Sequence, residues 1–136
     1  MLECAESLGF ECHIAVESTE EIQQYIIDLA ARYKKCHLYA YNLAQEKMIL
    51  KNIDVIVYPD QWNRSLAQAA QKMGIVPIVE EGMGFENFDP ESESGNGFVY
   101  ENEGFWSAVS ALLRASENFK FSYDWRNIRK NIQAMS

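Results

Sequence analysis

The stretch DVIVYPDQWNRSLAQAAQKMGIVPIVEE (residues 54–81) contains the pattern that decides the fold. It begins with a run of β-branched residues, which is typical of a strand buried on both faces of a sheet. A polar loop follows, then apolar residues at helical spacing, and Gly74 is placed to end that helix. A second apolar run covers residues 75–79. This order of strand, helix and strand predicts a crossover unit in a parallel sheet.

The second of these strands contains Pro77, which has no backbone N–H to donate. Central strands need that donor for pairing, so proline within a sheet is found mainly at edges and bulges. We therefore expect this strand to lie near a sheet edge or to contain a bulge.

The same alternation of strands and helices extends along the whole chain. Apolar runs predict five strands, at residues 10–16, 36–41, 53–58, 75–79 and 97–100. Helical spacing predicts two final helices whose buried faces include Trp106 and Trp125. We therefore expect a single domain over residues 1–136, either complete or as a piece of a longer chain. Its predicted class is α/β, a Rossmann-like three-layer α/β/α fold with a mainly parallel sheet of about five strands.

The composition argues against several classes of partner. The chain has 136 residues, 48% of them hydrophobic, and a net charge of −8. An acidic surface disfavours nucleic acid and anionic membrane as partners. No apolar run approaches the roughly 18 residues of a membrane span, and the N-terminus has acidic residues where a signal peptide has basic ones. Three unpatterned cysteines fit a reducing compartment, so we expect a cytoplasmic protein.

Two Cys-His pairs, Cys12-His13 and Cys36-His37, form a pattern that suggests a metal site. Adjacent strand residues point to opposite faces of a sheet, so one such pair cannot close on one ion. Two like residues side by side would supply only half of a tetrahedral site. We therefore expect no metal and no cofactor. No Ser or Cys has a convincing His and acid partner, so the sequence predicts no catalytic residue either.

Six stretches, in order, resemble the C-terminal half of glycogen and starch synthases, retaining glycosyltransferases of GT-B architecture. They are IIDLAARYKK (26–35), AYN (40–42), DVIVYPD (54–60), AQKMGIVPIV (70–79), GNGFVYE (95–101) and WRNIRKNIQAMS (125–136). The resemblance covers residues 10–136. It implies a cytoplasmic, glycosyltransferase-like domain of carbohydrate metabolism that binds a nucleotide sugar at the carboxyl ends of its strands.

The resemblance also implies which residues would bind the donor. Tyr41 matches the aromatic residue that lies near the donor base in the family. Asn63 and Ser65 fall in the donor loop. The loop after the 75–79 strand adds three more candidates, Gly82, Met83 and Gly84. Each has an ordinary alternative. A strand-end tyrosine can pack on its own helix, Asn and Ser are common helix caps, and glycines are common in loops.

Departures from the family pattern argue against a working site. Asn63 stands where the donor loop has a carboxylate, and the glycine of that loop is absent. Glu80 and Glu81 follow the strand after which the family often places Arg, so they would repel donor phosphates. Nothing in the sequence corresponds to the N-terminal, acceptor-binding domain. We therefore expect weak nucleotide-sugar binding and no activity from this chain on its own.

Two alternatives remain open. The chain can be the donor-binding half of an active transferase that a missing N-terminal domain completes. It can also be a flavodoxin-like or receiver-like domain that binds other proteins. A receiver needs a phospho-acceptor Asp at the end of a middle strand, whereas Asp54 begins its strand and Asp60 has no cluster of acids around it.

Overall fold

The computed structural model describes residues 7, 9–16, 24, 27–28, 31–32, 36–40, 46–57, 64–101 and 104–135. By its internal contacts the chain divides into two compact units, Met1–Asn52 and Ile53–Ser136. That the whole chain is one domain stays a prediction. None of the helices in the described part has both the length and the apolar character that a membrane crossing needs.

The first unit contains two parallel strands, β1 (Cys12–Val16) and β2 (Cys36–Ala40). Their register runs from Cys12 opposite Cys36 to Val16 opposite Ala40. The helix α1 (Glu46–Leu50) follows, and its residues Ile49 and Leu50 are buried. Between the two strands, the described residues 24, 27 and 28 have helical backbone, in agreement with the predicted crossover.

The second unit is a three-stranded parallel sheet flanked by helices. Its elements are β3 (Val55–Val57), α2 (Arg64–Met73), β4 (Val76–Glu80), β5 (Phe98–Tyr100), α3 (Phe105–Phe119) and α4 (Ser122–Ala134). The strand order is β3-β4-β5, with β4 in the middle. The helix α3 contacts β4 and β5, and α4 packs on α2 and α3. The largest fully buried side chains include Phe98, Ile78, Ile128 and Ile132.

Four of the five predicted strands contain a strand of the structure, and the remaining one, predicted at 75–79, overlaps β4, which ends one residue later at Glu80. Every pairing between these strands is parallel. Within the described residues the strands form a two-stranded and a three-stranded sheet. The β-branched runs predicted the strands because burial on both faces leaves no polar alternation.

The position predicted for Pro77 is wrong, because β4 is the central strand of its sheet. Val76 donates its N–H to the carbonyl of Asp54, on the β3 side. Successive backbone N–H groups point to opposite sides of a strand, so the Pro77 nitrogen faces β5. The pairing with β5 begins only at Ile78, opposite Phe98. At the preceding position Gly97 leaves room for the proline ring, which would lie 3.1 Å from a Cβ there. The position that lacks an N–H donor therefore lies just before the hydrogen-bonded pairing of β4 with β5 begins.

The prediction that Trp106 belongs to the core is also wrong, since its side chain is 72% exposed. The buried face of α3 consists mainly of alanines together with Val109 and Leu112; these alanines are Ala108, Ala111 and Ala115. Trp106 and Leu113 lie one heptad apart on the opposite face, and Leu113 is 41% exposed. The small residues mark the side on which the helix approaches the sheet. Trp125, in contrast, is buried as predicted.

The segment between β4 and β5 is a structured loop, although its sequence has no helix or strand period. Asp89 and Ser94 form an antiparallel bridge, and Asn87 forms a parallel bridge with Gly97. The side chain of Asn131, on α4, donates to the carbonyls of Glu93 and Gly95 at 3.0 and 2.8 Å. The acids of this loop are exposed, as expected for a solvated loop, but hydrogen bonds fix its backbone.

Candidate functional site

The predicted donor residues of the second unit lie at the carboxyl edge of its sheet. The helix α2 begins at Arg64, after the end of β3, and Ser65 is exposed in its first turn. Gly82, Met83 and Gly84 follow the end of β4. In parallel α/β sheets this edge is where ligands bind. Tyr41 and Asn63, the other two predicted donor residues, lie outside the described residues.

The backbone of the loop after β4 turns sharply at its two glycines. The N–H of Glu81 donates to the carbonyl of Tyr100 at 2.8 Å, which holds the start of the loop against β5. Gly82 and Gly84 have φ values of +91° and +85°, a region that favours glycine. Both are exposed, and a Cβ at either position would meet nothing within 4 Å. The backbone at these glycines is therefore open to approach by a ligand.

Met83 joins this loop to α2. Its side chain is partly buried and packs against the cluster of Ala67, on α2, and Val79, on β4. Ile56 and Phe85 pack against the same cluster. The structure therefore brings together the glycine loop and the first turns of the helix that carries Ser65. Met83 itself contributes to packing, which is a structural role.

The charges at this edge are mixed. The first turn of α2 contains Arg64 and no acidic residue. A helix N-terminus carries partial positive charge, so this end of α2 favours an anion. Glu81 is exposed at the end of β4, where it would repel one. Side chains alternate along a strand, so Glu80 lies on the other face from Val79 and therefore on the other face from α2. Of the two acids, Glu81 is the one free to oppose a ligand on the α2 side.

An Asn-Arg pair supports this loop, and no sequence pattern predicted it. The side-chain oxygen of Asn87 accepts from the Val99 N–H at 2.7 Å and from Arg114 Nη1 at 2.9 Å. Arg114 Nη2 also donates to the Val99 carbonyl at 2.7 Å. These bonds link the loop, β5 and α3. Isolated polar residues in a loop and on a helix leave no periodic pattern, and only the fold shows that they meet.

Comparison with known proteins agrees with this architecture. Over 96 residues the chain is 27% identical to glycogen synthase 1 of Synechocystis sp., a match that covers 66% of this chain and 20% of that protein. The chain is therefore similar to a glycogen synthase. The catalytic domain of starch synthase IV from Arabidopsis thaliana, solved with ADP and acarbose bound, has the same fold. The TM-score is 0.81 at 17% identity, covering 99% of this chain and 30% of that one. No family model matches the chain.

These comparisons confirm the resemblance to glycogen and starch synthases and the Rossmann-like α/β class. They favour a glycosyltransferase-like domain over the receiver-like alternative. The chain spans 20% of the length of the Synechocystis enzyme, so the activity, substrates and partners of a whole enzyme do not carry over directly.

Proposed function

We propose that this chain provides the donor-side, nucleotide-sugar-binding part of a glycosyltransferase-like protein and is inactive on its own. The supporting observation is the packing of Met83, which places the open glycine loop beside the first turns of α2. The same fold occurs in a starch synthase domain that was solved with ADP bound. Tyr41 and Asn63 belong to the proposal on the resemblance alone, and a cytoplasmic location belongs to it on the unpatterned cysteines.

The proposed site would bind phosphate mainly through backbone groups. The loop at Gly82 and Gly84 is exposed and unobstructed, so its amides can reach a diphosphate. The N-terminal turn of α2 adds its partial positive charge, the side chain of Arg64 and the hydroxyl of Ser65. This arrangement recognises the nucleotide diphosphate more than the sugar.

Glu81 is the main reason to expect weak binding. A carboxylate about 5 Å from a phosphate costs on the order of 3 kcal/mol at an effective dielectric constant near 20, before solvent and salt reduce the repulsion. A loss of that size offsets much of what amides and base stacking contribute. We therefore expect a dissociation constant for ADP or UDP no tighter than about 1 mM.

An NMR titration of the chain with ADP and with UDP tests the proposal. We expect millimolar binding, with shift changes at Ser65, Gly82 and Gly84. Glu81→Arg should tighten ADP binding, because it replaces a repulsive charge with an attractive one. Glu91→Arg is the matched control, since it changes the net charge equally at an exposed position farther along the segment between β4 and β5.

Three results would contradict the proposal. Micromolar binding to the unaltered chain would mean that its donor pocket is intact and that the departures from the family pattern are tolerated. Shift changes confined to residues away from the carboxyl edge would place the nucleotide elsewhere. Equal tightening by Glu81→Arg and Glu91→Arg would show a general charge effect and no local site.

A further inference from the structure

Three metal-binding side chains converge on the two-stranded sheet of the first unit. They belong to Glu11, His13 and His37, and one donor atom from each lies within 4.8 Å of the others. His13 and His37 are partners in the register of β1 and β2. Their rings stack with centroids 4.7 Å apart and an interplanar angle of 17°.

The carboxylate of Glu11 faces both rings. Its Oε1 atom lies 2.8 Å from His37 Nε2 and 3.5 Å from His13 Nε2. In a tetrahedral zinc site, ligand bonds of about 2.0–2.1 Å place neighbouring donor atoms roughly 3.3 Å apart. The two observed separations bracket that value. The donor atoms of the two imidazoles form the third pair and lie no more than 4.8 Å apart. Rotation of the stacked rings would therefore be needed to bring all three donors to bonding distance of one ion.

We propose that Glu11, His13 and His37 bind one divalent transition-metal ion, with Zn²⁺ as the best fit. Two imidazoles and one carboxylate form a donor set that occurs in zinc sites with an open fourth position. The site is open to solvent on one side, since the side chains of His37 and Glu11 are 47% and 58% exposed. Water would complete the coordination there.

The surroundings of His13 suit a metal ligand. Its side chain is only 9% exposed. Burial beside the stacked His37 ring restricts the positions that this imidazole can take, so little side-chain freedom would be lost when it binds an ion.

The two Cys-His pairs, which predicted no metal site, do not contain the third ligand of this cluster. The missing ligand is Glu11, two residues before His13, and residues at that spacing share a face of a strand. The parallel register adds His37 beside His13 on the neighbouring strand. Cys12 lies between Glu11 and His13 in the chain, so alternation places it on the opposite face.

A zinc titration followed by NMR tests this proposal directly, because the chain has only two histidines. One equivalent of Zn²⁺ should shift the imidazole signals of both histidines together. In a titration with Co²⁺, a visible absorption band should grow until one equivalent has been added. Glu11→Gln and His37→Asn should each weaken zinc binding at least about tenfold, because each removes a direct ligand. Replacing residues that only hydrogen-bond to metal ligands already has an effect of that size. Both positions are well exposed, and circular dichroism verifies that the variants fold.

Two control variants separate this site from other sources of zinc binding. Glu91→Gln removes the same charge from an exposed acid elsewhere and should leave zinc affinity unchanged. A variant with Cys4, Cys12 and Cys36 replaced by Ser should also retain it. Loss of binding in the cysteine variant, with retention in Glu11→Gln, would overturn the proposal. So would the absence of any shift at the two imidazoles, which would leave Glu11 only as an ion-pair partner of the two histidines.

Discussion

The loop backbone leaves no room for a side chain at Gly95. A Cβ at this position would overlap the carbonyl group of Asn87 and the Cα atom of Phe88. Its φ of +89° adds strain for any other residue. The loop needs this close approach because Asn87 reaches across to hold β5 through the Val99 N–H.

We expect Gly95→Ala to lower the free energy of unfolding by about 2 kcal/mol or more. Gly84→Ala is the control, because Gly84 has a similar φ of +85° but open space around it. That variant should lose only about 1 kcal/mol, the strain of the left-handed backbone. Urea denaturation measures both values. Equal losses would mean that the contact with Asn87 relaxes without penalty.

Asp89 organises the turn that follows Phe88. Its carboxylate accepts from the Ser92 hydroxyl at 2.7 Å and from the Glu91 N–H at 3.0 Å. These bonds, the Ser92 hydroxyl first, lower the pKa of Asp89 below its ordinary value of 3.8. A lowered carboxylate pKa contributes stability that is present above pH 3.8 and is lost as the pH falls through the folded-state value.

An NMR pH titration of Asp89 should therefore find its pKa below 3.8. Ser92→Ala should raise the pKa toward that ordinary value, because it removes the strongest donor to the carboxylate. Ser110→Ala, at an exposed position of α3, should leave it unchanged. An Asp89 pKa that does not respond to Ser92→Ala would show that the hydroxyl contact is absent in solution.

At the scale of elements, side chains of α4 cap the C-terminal end of α2. Arg129 Nε donates to the Gly74 carbonyl at 3.1 Å, and its Nη2 donates to the Met73 carbonyl at 3.2 Å. Gln133 donates to the Lys72 carbonyl at 3.2 Å. The last carbonyls of a helix have no partner within the helix, so side chains from α4 supply the donors.

Replacing Arg129 by Ala should lower the free energy of unfolding by about 1–2 kcal/mol, because two charge-assisted hydrogen bonds are lost. Arg126→Ala is a matched control on the same helix, where the side chain is exposed, and should change stability by less than about 0.5 kcal/mol. Thermal and urea unfolding of the two variants measure the difference. If both variants were equally stable, α4 would not cap α2 in solution.

The order of the elements could be predicted from the sequence, because strands buried on both faces and helices with apolar stripes leave periodic patterns. The contacts between elements could not be predicted in this way. Alanines mark the buried face of α3, whereas hydrophobicity alone pointed to Trp106. The central strand β4 accommodates Pro77 because its pairing with β5 begins only at Ile78. The meeting of Glu11, His13 and His37 depends on the register of β1 and β2. These features depend on three-dimensional proximity, which no local pattern records.

At the scale of the whole molecule, the chain corresponds to a minor part of the proteins it resembles. It covers 30% of the starch synthase catalytic domain and 20% of the Synechocystis glycogen synthase. The resemblance implies chemistry in a cleft between two domains. One wall of a cleft can bind a nucleotide, but it cannot align an acceptor or exclude water from the reacting bond.

We therefore expect no transfer of glucose from ADP-glucose or UDP-glucose to glycogen by this chain alone. Incorporation of radiolabelled glucose measures it, with a no-protein blank and a complete glycogen synthase as the positive control. Incorporation above the blank would contradict the expectation of an inactive chain. A second arm adds a separately expressed N-terminal, acceptor-binding domain from the Synechocystis enzyme. Activity that arises only in that mixture would favour the alternative of an active donor half, because a completed cleft would then be the missing element. Continued inactivity would point to the proposed donor edge itself, where the resemblance implies that Asn63 replaces a carboxylate and where Glu81 would repel phosphates.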